Sequence, residues 1–168
     1  MELTKTITLT SVGIIAFAIS LTVTQMLIRK EKTKSENEGK ILLAYGILFS
    51  SWVICFSLLN FKTLSVLNEF ADTIYKVNTI NPLTEIAKTS VLFIGLTNTW
   101  LIIWYYITKA LSVLFTGKRI EVNEIESNNY VYFVLKGIVF IGFVYSLMPV
   151  FEVVLRAFFP NIEIPYYH

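Results

Sequence analysis

Apolar residues run along this chain in four long stretches, and the charged residues collect between them. The stretches are Ile7–Ile28, Ile41–Phe61, Ser90–Phe115 and Tyr130–Phe159. A bilayer hydrocarbon core about 30 Å thick takes ~20 mostly apolar residues in one helix. The pattern therefore predicts an all-α polytopic integral membrane protein: four transmembrane helices forming one membrane domain over residues 1–168. The fourth stretch is longer than a bilayer requires, so it is expected to tilt, to kink near Pro149 or to protrude, with Pro160 closing it.

Between the second and third stretches the periodicity changes. In residues 62–77, Leu64, Leu67, Ala71 and Ile74 recur at helical spacing, with Lys62, Ser65, Glu69, Asp72 and Lys76 between them. That predicts an amphipathic connecting helix resting on the outer surface. Asn78 to Pro82 should end it. In Gly117–Asn129, Ile120 and Val122 alternate with polar residues, which predicts a short strand or turn. The first connection, from Arg29 to Lys40, reads as a hydrophilic loop or a helical extension.

Composition narrows the function classes. The chain is 55% hydrophobic and 15% charged, against about 25% charged in an ordinary soluble domain. Four spans leave no room for a separate soluble domain of usual size. The net charge of +2 is too small to point to nucleic acid. The single cysteine, Cys55, cannot form an intrachain disulfide or a CxxC pair, and the single histidine, His168, cannot build a multi-histidine metal site. No phosphate loop, HExxH or GxSxG pattern is present, and Glu152 is the one carboxylate inside a stretch. No catalytic residue, metal or cofactor is expected. Ile7–Ile28 is too long for a signal h-region, and its positive cluster follows it, so it reads as a retained span.

Orientation follows from lysine and arginine in the short loops. Arg29, Lys30, Lys32, Lys34 and Lys40 in loop 1, with Lys109, Lys118, Arg119 and Lys136 near loop 3, make nine on one side. Lys5, Lys62, Lys76, Lys88 and Arg156 make five on the other. Loops 1 and 3 are expected in the cytoplasm and both termini outside, in a bacterial inner membrane.

Polar residues inside spans carry most of the remaining information, because no water satisfies them there. Gly13, Ala16, Ser20 and Thr24 form one small face, and Gly46 and Ser50 begin another. Small faces let backbones approach closely, and these six residues are a candidate seam between copies, with packing inside the protomer as the alternative. Asn98 and Lys109 share a face of the third span and are the candidates for a polar path; snorkelling is the alternative for Lys109. Glu152 and Arg156, at i and i+4, are a candidate ion pair near the outer end.

Four-span families supply no match. Small multidrug exporters need a carboxylate in the first span, and Ile7–Ile28 has none. Quinone-linked disulfide formers, claudin-like and tetraspanin-like proteins need cysteines that a lone Cys55 cannot supply. The expectation is a non-enzymatic, homo-oligomeric membrane subunit, either a channel-like element or the anchor of a complex. Its protein partners would meet loops 29–40 and 117–129. The alternative is a small-solute transporter with a polar cavity around Asn98 and Lys109.

Overall fold

The computed structural model describes residues 2–37, 40–77 and 81–159. The expected break at 78–80, the closing Pro160 and His168 lie outside the described residues. The elements are α1 (Glu2–Leu27), α2 (Arg29–Lys32), β1 (Glu36–Asn37), β2 (Lys40–Ile41), α3 (Leu43–Val77), α4 (Pro82–Thr116), α5 (Glu121–Glu126), α6 (Tyr130–Ser146) and α7 (Met148–Ala157). The strands form one antiparallel pair, Glu36 opposite Ile41 and Asn37 opposite Lys40. Three helices are long and apolar enough to cross a membrane, and the α6–α7 pair makes a fourth if its halves count as one span.

The helix α3 is the central post, packed against α6, α4, α1 and α7. Its inward side is a continuous stripe: Ala44, Leu48, Trp52, Cys55, Leu59, Val66, Phe70 and Ile74 are all buried. Here the structure corrects the sequence reading. Residues 62–77 are not a separate connector on a surface; they continue the second span as one helix of 35 residues. That helix is roughly 52 Å long at 1.5 Å per residue. The stripe never changes phase at Lys62, and no glycine or proline interrupts the helix after Gly46, so nothing separates the two segments.

Two further boundaries differ. The third span starts at Pro82, eight residues before the expected Ser90, with the proline in its first turn, where a missing N–H costs nothing. The third connection holds the helix α5 in place of a strand. Glu121 and Ile125, at i and i+4, are its buried pair, while Ile120 is exposed. The fourth stretch is bent by 47° between α6 and α7. Pro149, in the first turn of α7, cannot donate to the carbonyl four residues back, and its ring crowds that carbonyl.

The packing of α1 is different. It lies antiparallel along one side of α3, with Lys5 paired to Asp72 near one end and Ser20 bonded to Asn60 further along. Ala16, Ser20 and Thr24 are buried, and a Cβ on Gly13 would stand 3.1 Å from Leu64 Cδ1. The small face thus closes the contact with α3 inside the chain. On its other side α1 leaves Ile7, Ile14, Ile15 and Met26 exposed.

Candidate functional site: a buried ion cluster at one end of the bundle

Lys109 on α4 and Lys136 on α6 are cations on apolar helices, so each needs an anion or water. The anion is Glu121 from the short helix α5. Lys136 Nζ lies 2.7 Å from Glu121 Oε2, and both side chains are 3% exposed. Lys109 Nζ lies 2.8 Å from Glu121 Oε1 and keeps about half of its side chain in the open. Tyr105 completes the cluster: its hydroxyl donates to Glu121 Oε2 at 3.0 Å and accepts from Lys136 Nζ at 3.1 Å. The Lys136 ammonium also stands 4.7 Å from the centre of the Tyr105 ring, an attractive cation–π distance.

Aromatic rings wall the cluster off on the bundle side. Trp52 lies 4.5 Å from Tyr105 and 5.3 Å from Phe140, and both Trp52 and Phe140 are buried. Burial alone would raise the pKa of Glu121, but Lys136 and Lys109 outweigh it and hold the carboxyl below its ordinary value.

The loops around Glu121 are fixed by a second set of contacts. Glu124 accepts from Asn129 Nδ2 at 2.6 Å and from Arg119 Nη1 at 3.1 Å; those partners, led by Asn129, hold its pKa low. Lys34 in loop 1 pairs with Glu126 at 2.7 Å, which raises the pKa of the lysine. Asn128 adopts φ 50°, a left-handed conformation that asparagine tolerates. Its Oδ1 accepts the Ala44 N–H at 3.1 Å, serving one of the donors that the first turn of α3 cannot pair itself. Loops 1 and 3 are therefore tied to each other at this end.

The opposite end carries a half-open network. Arg156 reaches Glu152 Oε1 through Nε at 3.1 Å and through Nη2 at 2.9 Å. Its Nη2 is also 2.7 Å from Glu69 Oε2, and Lys62 Nζ is 2.5 Å from Glu152 Oε2. From Trp52, beside the buried cluster, to Glu69 is seventeen residues of α3, roughly 26 Å.

The sequence-derived candidates separate on this geometry. Glu152 and Arg156 meet. Asn98 and Lys109 do not: Asn98 is buried and donates to Ile94 O of its own helix at 2.8 Å, while Lys109 turns to Glu121. Gly46 and Ser50 line an open groove of about 490 Å³ between α3 and α6, together with Ile54, Val134, Gly137 and Ile141. At that crossing a Cβ on Gly137 would fall 2.2 Å from Ser51 Oγ, so the glycine permits the close approach. Sequence reasoning passed over Glu121. The signal was present: two lysines within apolar helices demand a counter-charge, and the adjoining loop holds Glu121, Glu124 and Glu126. The chain matches no family model, no curated protein and no solved structure.

Proposed function

We propose that this chain is a non-enzymatic integral membrane subunit that self-associates and anchors a larger assembly, in a bacterial inner membrane with both termini outside. One observation carries the reading. The middle of the bundle is filled: Trp52, Phe56, Phe93, Leu101, Trp104 and Phe151 are all buried there. Among them Thr63 bonds to Thr97 at 2.7 Å and Asn60 Nδ2 to Ser20 at 3.1 Å, while Trp52 Nε1 and Asn98 Oδ1 have no hydrogen-bond partner among the described residues. The helices serve chiefly to pack on one another, which suits a structural role, and a channel-like path would have to run between copies. The roughly 26 Å between the two charged ends is close to a hydrocarbon core of about 30 Å and supports the membrane placement. Loops 1 and 3, tied together at one end, supply the surface for a protein partner.

The test is to purify the chain in mild detergent, measure its mass, and reconstitute it in vesicles. Expected is a multiple of the 19.3 kDa chain mass with no solute flux. A monomer that moves a solute, and stops doing so with Asn98→Leu, would instead establish a small-solute transporter.

A further inference from the structure

At the end of α1 the chain makes one more helical turn. Ile28, at φ −98° and ψ 21°, separates this turn, α2, from α1, and Lys32 N–H bonds to Ile28 O at 2.9 Å. An open groove of about 490 Å³ forms there, lined by Thr22, Gln25, Met26, Arg29, Lys32 and Thr33. Arg29 and Lys32, at i and i+3, fall on one face of the turn. Glu31 lies two residues on from Arg29, roughly 200° around the helix. Neither Arg29 nor Lys32 is paired with a carboxylate among the described residues, whereas Lys34 is drawn away to Glu126. The groove thus presents two cations and an amide, with no acid among its lining residues; the Thr22 and Thr33 hydroxyls donate to Ala18 O and Lys30 O.

An apolar track leads to it. Ile15, Ile19, Thr22 and Met26 lie at i, i+4, i+7 and i+11, one line along α1, and Arg29 shares the groove with Thr22 and Met26; all five are exposed. A ligand matching both features has an anionic, hydrogen-bond-accepting head and an apolar tail parallel to α1. We propose that this groove binds the headgroup of an anionic phospholipid, with Arg29 and Lys32 on its phosphate and an acyl chain along Ile15, Ile19 and Met26. The inference rests on the membrane placement proposed above and not on the scaffold role.

The full chain is reconstituted in vesicles of phosphatidylcholine with a minor share of phosphatidylglycerol. It is then extracted in mild detergent, and the lipids that stay bound are counted by mass spectrometry. Expected is phosphatidylglycerol enriched over its share in the vesicle. A basic residue near an anionic surface contributes about 1 kcal/mol, so Arg29→Gln with Lys32→Gln should weaken retention by about 30-fold. Lys40→Gln with Lys118→Gln removes the same charge away from the groove and should leave retention unchanged. Met26→Glu keeps every cation at an exposed position and should expel the lipid. Equal losses in the two lysine-containing doubles, no enrichment in the wild type, or retention by Met26→Glu would each overturn the proposal. Displacement of the lipid by millimolar inorganic phosphate would overturn it too, assigning the groove to the free anion. A wild-type chain that an alkaline wash strips from the vesicles would remove the membrane placement as well, whereas stable incorporation without enrichment would remove this inference alone.

Discussion

The two ends of the bundle handle charge in opposite ways. At one, Glu121 and Lys136 are sealed under Trp52, Tyr105 and Phe140, each 3% exposed. At the other, Glu152 and Arg156 pair at 2.9 Å with 26% and 42% of their side chains open, and Lys62 and Glu69 share the load. The chemistry of the groups is the same, but the cost of losing one is not. A sealed ion left alone cannot recover water, so its partner becomes obligatory. An open ion left alone is rehydrated, and a network offers it a second partner. One end is therefore a lock joining α4, α5 and α6, and the other is an adjustable contact between α3 and α7.

The sharpest way to break that contrast is at the lock. Glu121→Ala leaves Lys136 buried and unpaired, and the loss is expected to be about 3–5 kcal/mol, read as a large fall in Tm of the purified protein. Combining Glu121→Leu with Lys136→Met should return much of it. A Glu121→Ala protein as stable as the wild type would show that the lock does not exist. The same carboxylate sets the acid response. Its pKa is lowered from 4.5 in the folded chain, so its stabilisation is complete above the unfolded value and is lost as pH falls through the lower folded value. Acid should thus loosen the lock only below the ordinary carboxylate range, as followed by tryptophan fluorescence, and Glu121→Gln should flatten that step.

A smaller effect is expected midway, at the crossing of α3 and α6. Gly137→Ala forces a methyl group toward Ser51 Oγ, where 2.2 Å is available. Overpacking of this kind costs about 1–3 kcal/mol, and Ser51→Ala should relieve part of it. Full tolerance of Gly137→Ala would mean that the helices can separate there freely. The smallest effect belongs to the open end. Glu152→Gln should cost no more than about 1 kcal/mol. Because Arg156 keeps Glu69, the double change with Arg156→Gln should be milder than the two single losses added together. Strict additivity would argue against the contact.

Much of this architecture was legible in the residues. The four apolar stretches and the kink near Pro149 follow from composition and from proline geometry. The continuity of α3 could have been read from the stripe Trp52, Cys55, Leu59, Val66, Phe70 and Ile74. It was obscured because Lys62, Glu69, Asp72 and Lys76 on the other side make the second half resemble a surface helix. The pair at Glu152 and Arg156 is local, one helical turn apart, so its spacing suffices. The lock is not local. Glu121 lies fifteen residues before Lys136 and twelve after Lys109, and only the folding of loop 3 back over the bundle joins them. Alternation at Ile120 and Val122 hid the helical spacing of Glu121 and Ile125. The inward turn of Ala16, Ser20 and Thr24 likewise depends on where α3 lies, which no periodicity within α1 reveals.

The central claim is that the two ends lie on opposite sides of a membrane, with the lock on the cytoplasmic side. Single-cysteine labelling tests it most directly. In a Cys55→Ala background, Lys118→Cys reports the locked end and Lys76→Cys the open one, both at exposed positions. With an impermeant thiol reagent on intact cells, Lys76→Cys should react and Lys118→Cys should react only after permeabilisation. Reaction of both from the same side would contradict the transmembrane arrangement, and the reverse pattern would contradict its orientation.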